Sequence, residues 1–506
     1  MKKTISTLVF SILAAVAMLS QYIPEPKFDS DILWSVAIGK WITVHQSFPA
    51  ADSFSWTING KEWMTHEWIY CVLASNLSDA FGSLGLYILT LVPMILTTFI
   101  LYLVAREYDE NRSFAFIIAF TIGIVLLYLL ALPFRAYNYA LSFTVLLIYL
   151  LYFKTEKPYD VAWYILLFIL WANFQVSVFI GLAILLAEMV RKFILYPLKR
   201  SRVFAITAFS FLATLVNPYG YKLWTYFIFV NTKMAEHRYI SEWQAADFNE
   251  PWVLFIYLGV AASVILLQFN HVRKTAVGPV DNFDLPENWE SKRKNNLSTM
   301  WAGFIEWMKA FLTRENCLII GFWLFYIYAL YSVRMFVFSL ILWIIIVSYF
   351  VGKSKRFNFS AKSYYIFVFL FVVMTLANIA TAEFKLKDIF TADNKISPVE
   401  EVSFLTANPE YAHHLFNDYI FGGYLILNEI PVFIDARCDS YIQFGVLDKY
   451  LDISHLKVDP QLELDQLGVE NVFIADGPLR RYLDISPKWR LVYGGPTAFI
   501  YTRTDN

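Results

Sequence analysis

Charged residues are scarce in this sequence. Asp, Glu, Lys and Arg together make up 16% of its 506 residues, whereas soluble globular domains carry about 25%. Acids and bases nearly cancel, and the net charge of −1 gives no reason to expect a nucleic-acid partner. A chain with so little charge is poorly suited to expose all of its surface to water.

Cysteine is also scarce. The chain has three cysteines, Cys71, Cys317 and Cys438, widely separated along the sequence. Three scattered cysteines are too few for a disulfide framework or a cysteine-based metal site. Cysteine content therefore does not indicate the redox compartment.

What the chain has in excess is apolar surface, since 58% of its residues are hydrophobic and 19% aromatic. These values predict an α-helical polytopic membrane protein. Residues 4–23 follow Lys2 and Lys3 and are about long enough to cross a bilayer. We therefore expect a retained first span rather than a cleaved signal peptide. Further apolar runs occupy residues 84–105, 113–133, 137–153, 161–190, 203–217, 252–269, 315–331, 335–351 and 362–381.

The run at 161–190 has two interpretations, one long helix or two short helices that meet near Asn173. Basic residues lie on both sides of it, and cytoplasmic loops carry an excess of Lys and Arg. Both flanks are then cytoplasmic, so we count two crossings. The sequence predicts about eleven spans in a cell membrane, with the N-terminus cytoplasmic and the C-terminus outside.

This topology predicts two domains. Residues 1–382 form the transmembrane domain, with a large first external loop at 24–83. Residues 383–506 carry more charge and form an extracytoplasmic α/β domain, because short β-rich runs alternate with helical patterns. Its Gly422–Gly423 pair predicts a tight turn. The β-rich runs are "VFIDAR", "NVFIAD", "WRLVY" and "AFIYTR", and the helical ones are "SYIQFGVLDKYLDI" and "LELDQLGV".

Several motifs, taken in order, resemble those of bacterial C-type (GT-C) membrane glycosyltransferase-like proteins. They are "DSDILWSVAIGKWI", "PAADSFSWTINGKEWMTHEW", "WANFQVSVFIGL", "NPYG" followed by "ISEW", "SVRMF", and "FNDYIFGGYLI" with "VFIDARCDSY". The resemblance implies a GT-C-like fold and transfer of a sugar from a polyprenyl-phosphate carrier at the outer face. The implied partners are that lipid-linked sugar, membrane lipids, and a cell-envelope glycan, lipid or protein acceptor.

The chain departs from the family pattern at two places. Ser35 stands where the group commonly has His, and Asn173 to Val176 stand where it commonly has Asn-x-His-Gly. Two other functions stay open, and these losses favour the second of them. One is a transporter or flippase for a lipid-linked sugar, and the other is a non-catalytic assembly protein of the cell envelope.

Asp29 and Asp31 open the first external loop and are candidate catalytic bases. Attack by an acceptor hydroxyl needs a carboxylate to take its proton. In an extended backbone, residues two apart point the same way, so the two acids would lie together. The alternative is that they only solvate the loop and mark the end of a span.

His66 and Glu67 are the next catalytic candidates. We place them in the first turn of an interfacial helix with Thr65 as N-cap and with Trp63, Trp68 and Tyr70 as aromatic anchors. Glu67 would otherwise only complement the helix dipole. Together with Asp31 and Glu242, these two residues could hold a divalent metal ion or form an acid and base pair.

Arg135 and Arg334 are the candidates for binding the donor phosphate. Each lies in a short predicted external turn between two apolar runs, away from the cytoplasmic basic clusters. A guanidinium group suits bidentate contact with phosphate. The alternative is that both arginines extend toward lipid headgroups.

A third set of residues is predicted to contact the acceptor or to support the catalytic groups. Asp435, Arg437 and Asp439 follow a short apolar run in the outer domain, where an internal ion pair that rigidifies the loop is the alternative. The other members of the set are Asn173, Gln175 and Glu242.

Overall fold

The computed structural model describes residues 30–108, 134–154, 160–196, 200–232, 243–276, 311–352 and 397–504, together with a few single residues between these ranges. The described chain is mostly helical and has one small sheet near its C-terminus. Several predictions concern residues outside these ranges. They are the predictions for the first span, for Asp29 and Glu242, for most of 113–133 and 362–381, and for the domain boundary at 383.

Eleven helices precede the C-terminal unit in the described residues. They are α1 (Ser30–His45), α2 (Trp68–Phe81), α3 (Ser83–Arg106), α4 (Tyr137–Tyr152), α5 (Val161–Phe174), α6 (Val178–Leu195), α7 (Arg200–Ala213), α8 (Lys222–Thr232), α9 (Pro251–Ala276), α10 (Arg314–Tyr331) and α11 (Phe336–Gly352).

Three segments in the described residues are long and apolar enough to cross a membrane: Ser83–Ala105, Pro251–Phe269 and Val333–Val351. The other apolar helices are shorter, among them α4, α5 and most of α7. The described part of the chain therefore does not support the predicted count of about eleven spans. Only 17% of the Pro251–Phe269 segment is buried among the described residues, so this helix exposes a large apolar surface there.

The run at 161–190 is two helices, as one of the two interpretations required. Helix α5 ends at Phe174, and the extended backbone of Gln175 separates it from α6. Helix α5 has 14 residues, which at 1.5 Å per residue is about 21 Å and shorter than the apolar core of a bilayer. Its length alone does not support a full crossing.

The opening of the predicted external loop is helical. Helix α1 begins at Ser30, so Asp31 lies in its first turn and the expected extended backbone is wrong at this residue. Most of the helix is buried because it packs on α2 and on a C-terminal helix. The approach to α2 depends on Gly39, where an added Cβ would overlap the backbone carbonyl of Cys71.

This close approach gives a stability prediction. Gly39→Ala should lower stability, by about 1–3 kcal/mol, because the new methyl group must push α1 away from α2. Gly259→Ala on α9 is the matched control, since a Cβ there meets nothing within 4 Å. Thermal unfolding in detergent measures both variants. Equal unfolding temperatures for the two would contradict the tight α1–α2 contact.

The C-terminal unit contains a four-stranded sheet of order β1-β2-β4-β3. Strand β1 pairs in parallel with β2, and the other two pairings are antiparallel. The strands are β1 (Leu415–Asn417), β2 (Asn471–Ile474), β3 (Trp489–Gly494) and β4 (Phe499–Arg503). The helices are α12 (Val399–Ala407), α13 (Gly422–Leu427), α14 (Cys438–Gln443), α15 (Val446–Ser454), α16 (Pro460–Gln466) and α17 (Pro478–Ile485).

Two local predictions in this unit are wrong. The "VFIDAR" run forms no strand and keeps one isolated bridge between Val432 and Ser55. Gly422 and Gly423 begin helix α13 instead of forming a tight turn. A Cβ on Gly423 would overlap the carbonyl oxygen of Ser30, so the glycine lets α13 approach the start of α1 closely.

The first loop is attached to the C-terminal unit. The indole N–H of Trp56 donates to the carbonyl of Leu415 at 3.0 Å, and the Thr57 hydroxyl donates to the carbonyl of Phe433 at 2.6 Å. Buried apolar residues from α1, α2, α13 and the sheet share one core. Residues of the loop and of the C-terminal unit are therefore held in fixed positions around the cavity described next.

Candidate active site

A cavity of about 580 Å³ lies where α1, the loop before α2, the turns before α4 and α11, and the C-terminal unit meet. It is the place where most of the predicted site residues come together. Those that line it are Asp31, His66, Glu67, Arg135, Gln175, Arg334, Arg437 and Asp439.

Asp31 and Arg135 form an ion pair inside this cavity. Asp31 comes from the first turn of α1 and Arg135 from the turn that precedes α4. The sequence assigned them separate tasks, proton acceptance and phosphate binding. Because each charge already faces its opposite, Asp31 is placed to hold Arg135 in position.

Glu67 occupies a different local position from the one predicted. Helix α2 begins at Trp68, so Glu67 rather than Thr65 is the N-cap residue, and its side chain makes no capping hydrogen bond. The carboxylate therefore does not serve the helix end and faces the cavity. The proposed aromatic anchors Trp63 and Tyr70 are buried in the protein rather than exposed to lipid.

The electrostatic surroundings of Glu67 favour a proton-transfer role. Burial raises the pKa of Glu67 to about 7, although the positive charges of Arg135 and Arg334 act in the opposite direction. A carboxyl group with a pKa near the working pH can both accept and return a proton, which is the optimum for general acid–base catalysis. Asp439 adds to the rise in pKa through like charge.

His66 and Asp439 meet on the two sides of Tyr226. The ring of His66 stacks on that of Tyr226 with centroids 5.0 Å apart, and the Tyr226 hydroxyl donates to Asp439 at 2.5 Å. Burial and the charge of Arg334 lower the pKa of His66 to about 4, so its imidazole is neutral at pH 7. Burial raises the pKa of Asp439. This side of the cavity thus offers a neutral imidazole and a hydrogen-bonded hydroxyl–carboxyl pair to a polar ligand.

Arg334 lies in the short 3₁₀ turn Val333–Met335 between α10 and α11. Its guanidinium lies over the ring of Tyr137, 4.4 Å from the centroid, and 5.6 Å from that of Trp243. The Tyr137 hydroxyl donates to the Arg334 carbonyl at 2.7 Å. Aromatic faces therefore hold this guanidinium at the cavity wall, where it can meet an anion.

Arg437 is the centre of a buried ion network. Its Nε and Nη2 donate to both carboxylate oxygens of Asp435, at 2.9 and 2.6 Å, and Nη1 donates to Asp52 at 2.5 Å. The Tyr441 hydroxyl also donates to Asp435, at 2.8 Å. The predicted alternative of an internal Asp435–Arg437 ion pair is present, and it extends to the first loop through Asp52.

Asn173 and Gln175 have mainly local partners. The Asn173 amide donates to the carbonyls of Ile169 and Val216 at 2.7 Å, and its oxygen accepts from the Trp68 indole at 2.7 Å. Asn173 thereby fixes the end of α5 against α2. Gln175 lines the cavity, but its side-chain oxygen accepts from the backbone N–H of Ser177.

The sequence alone did not identify some polar residues of the cavity. Tyr226, Tyr419, Tyr450 and His455 line it. Tyr226 lies on α8 within an aromatic run that carries no distinguishing pattern. Trp34 and Tyr70 also line the cavity. The Trp34 indole N–H and the Tyr70 hydroxyl have no hydrogen-bond partner in the described chain. Buried polar atoms are usually paired, so unpaired ones at a cavity suggest a polar ligand.

The predicted metal group is only partly described, because Glu242 lies outside the described residues. Within them, Asp31, His66 and Glu67 line the same cavity, but their ligand atoms do not converge within 4.8 Å of one another. The group of described residues that does converge in this way is His413, His414 and Glu470. A divalent ion shared by the cavity residues stays a prediction.

The fold has a counterpart among solved structures. The crystal structure of an oligosaccharyltransferase from the archaeon Archaeoglobus fulgidus, in the apo form, matches with a TM-score of 0.50 and 12% sequence identity. The match covers 99% of this chain and 74% of that one. It agrees with the GT-C-like architecture expected from the sequence, and at this identity it shows the fold alone. No protein-family model and no curated protein matches the sequence.

Proposed function

We propose that this protein is a membrane glycosyltransferase that moves a sugar from a polyprenyl-phosphate carrier to an acceptor at the outer face of the cell membrane. One observation supports the proposal above the others. A single cavity, in a chain with the fold of an oligosaccharyltransferase, contains Arg135, Arg334 and a carboxyl group whose pKa is raised to about 7.

The donor phosphate is assigned to the arginine side of the cavity. Arg334, held over Tyr137, and Arg135, held by Asp31, supply positive charge where the lipid phosphate would lie. Two guanidinium groups stabilise the negative charge that develops on the departing phosphate. The bond that breaks joins the sugar C1 to the phosphate oxygen, and polyprenyl phosphate leaves.

The acceptor proton is assigned to Glu67. As the acceptor oxygen bonds to C1, the hydroxyl proton passes to the Glu67 carboxylate. Neutral His66 and the Tyr226–Asp439 pair are placed to hydrogen-bond the sugar or acceptor hydroxyls. The acceptor is proposed to be an envelope glycan, lipid or protein that enters from the side of the C-terminal unit.

The Asp31–Arg135 pair gives the first test of this assignment. Asp31→Asn should raise the KM for a polyprenyl-phosphate sugar by about 10- to 100-fold, because Arg135 loses the charge that positions it for phosphate binding. The measurement is steady-state transfer in membranes at equal protein abundance. Asp79→Asn on α2 is the matched control, since Asp79 is exposed.

The other possible outcomes of this assay would assign a different role to Asp31 or a different function to the protein. A collapse of kcat at unchanged KM would make Asp31 the base instead of Glu67. Unchanged values of both constants would remove the ion pair from the site. Movement of the intact lipid-linked sugar across the membrane, with no release of polyprenyl phosphate, would indicate a flippase and reject transfer.

A further inference from the structure

Two adjacent histidines and a glutamate meet at one edge of the C-terminal sheet. His413 and His414 directly precede β1, and Glu470 directly precedes β2. These strands are parallel neighbours, with Leu415 paired to Asn471. The topology therefore brings the three side chains to the start of the same strand pair.

The backbone turns both imidazoles to one side. Successive side chains of an extended chain point to opposite faces, but His414 has a φ of +41°, in the left-handed region. As a result the two rings stack, with centroids 4.3 Å apart and planes at 16°. Histidine is among the residues that adopt this conformation more often than most others.

The Glu470 carboxylate faces both rings. One oxygen lies 2.8 Å from Nδ1 of His413, and the other lies 3.6 Å from Nδ1 of His414. No Lys or Arg in the described chain forms an ion pair with Glu470. The only charge partners that the carboxylate has there are thus two groups that become cationic only when protonated.

The His414 ring is held in place on its other face. It stacks on the indole of Trp56, 5.0 Å away at 23°, and that indole N–H donates to the carbonyl of Leu415. Its Nδ1 also lies 3.1 Å from the carbonyl oxygen of Gly468. The stacking on Trp56 restricts the ring before any ligand arrives, which lowers the cost of binding. The hydrogen bond from Nδ1 to the Gly468 carbonyl is exchanged for the ion.

From this geometry we propose that His413, His414 and Glu470 bind a divalent transition-metal ion, with Zn²⁺ as the best match. Two imidazoles and one carboxylate form a ligand set that Zn²⁺ uses when its fourth position stays open. Imidazole nitrogen also suits Cu²⁺ and Ni²⁺, whereas Mg²⁺ and Ca²⁺ prefer sites made of oxygen atoms.

The distances permit this ion with small side-chain movements. A tetrahedral Zn²⁺ site places neighbouring N and O ligands about 3.4 Å apart, and the three ligand atoms here lie within 4.8 Å of one another. His413 is 63% exposed and Glu470 37% exposed, so both can rotate. The ion binds the unprotonated Nδ1 of each neutral ring, the ring proton then lies on Nε2, and the fourth position is open to water.

The site is separate from the cavity. None of the three residues lines the cavity, and the predicted cavity metal group shares no residue with them. Since it connects the starts of β1 and β2, the ion would fasten the sheet edge to which Trp56 of the first loop attaches. The proposal is therefore independent of the transferase function.

The test uses Co²⁺ and Zn²⁺ with the purified full-length protein in detergent. Wild type should bind one Co²⁺ with visible absorption bands of a low-coordinate site, and Zn²⁺ should displace it. Glu470→Gln and His413→Ala should each weaken binding by more than about tenfold and abolish the rise in unfolding temperature that Zn²⁺ causes in wild type. His45→Ala is the matched control, an exposed histidine at the end of α1.

His66→Ala decides where the ion lies. The site at the sheet edge is supported if His66→Ala keeps the Co²⁺ absorption bands and Glu470→Gln loses them. Loss in His66→Ala with normal binding in His413→Ala and Glu470→Gln would place the ion in the cavity and overturn the proposal. An absence of saturable Co²⁺ binding in folded wild type would overturn it as well.

Discussion

Glu67→Gln should reduce sugar transfer by about 10²- to 10⁴-fold while the amount of folded protein in the membrane stays unchanged. Glutamine keeps the size and polarity of the side chain but cannot take the acceptor proton. The native carboxyl group makes no capping hydrogen bond to α2, so the helix end does not depend on it. Transfer at saturating lipid-linked donor measures the change.

Glu62→Gln is the matched control for this prediction. Glu62 belongs to the same loop but is 66% exposed, and its ion pair with Lys222 lies at the surface.

The wild-type rate should also depend on pH in a defined direction. With the pKa of Glu67 raised to about 7, the fraction of ionised base falls about tenfold per unit below that pH and levels off above it. An unaltered rate in Glu67→Gln would remove Glu67 from the chemistry.

Arg437→Met should destabilise the protein by about 3–5 kcal/mol, the largest stability effect that we expect from a single substitution. The substitution leaves Asp52 and Asp435, both 0% exposed, without the cation that compensates them. Asp52 also accepts hydrogen bonds from the backbone N–H and the hydroxyl of Ser55, so the first loop should loosen first. Thermal unfolding and limited proteolysis of residues 50–60 measure both effects.

Lys222→Met provides the control for the loss of the Arg437 charge. It breaks an exposed ion pair with Glu62, and such pairs contribute little to stability because water and salt screen them. Asp435→Asn combined with Arg437→Met should recover part of the lost stability, because one uncompensated buried charge is then removed. Equal unfolding temperatures for Arg437→Met and Lys222→Met would show that the network does not stabilise the fold.

Local patterns predicted several parts of this protein correctly. Two helices meeting near Asn173 were favoured because basic residues lie on both sides of the apolar run. The "NVFIAD", "WRLVY" and "AFIYTR" runs contain strands because their apolar and β-branched residues favour a sheet. Arg135 and Arg334 were singled out because each is a lone cation between two apolar runs, and both line the cavity, while their contact with a phosphate stays a prediction. Their position at the cavity follows from short turns that leave them few other places to lie.

Tertiary contacts account for what the sequence missed. The start of helix α1 was predicted as loop because Asp29 and Asp31 follow an apolar run and resemble the end of a span, but α2 and α13 bury the helix through Gly39 and Gly423. The Asp31–Arg135 pair joins two segments far apart in the chain, which no local pattern reveals. Tyr226 reaches Asp439 only because α8 packs near the C-terminal unit.

The raised pKa of Glu67 belongs to the same class of tertiary effect. In the sequence, Glu67 and Asp31 are equivalent as acids, and the choice between them depends on burial and on which cation each one meets. Asp31 meets Arg135 directly, whereas Glu67 is desolvated at the cavity wall. The folded surroundings are therefore the reason why we propose Glu67 rather than Asp31 as the proton acceptor.

The most direct test of the central claim is a structure of the protein with a polyprenyl-phosphonate sugar, a donor analogue that cannot transfer its sugar. The account predicts the phosphonate in the cavity within hydrogen-bond distance of Arg334 or Arg135, with the sugar C1 facing Glu67. A donor analogue bound elsewhere on the protein, with no phosphonate contact to either arginine, would contradict it.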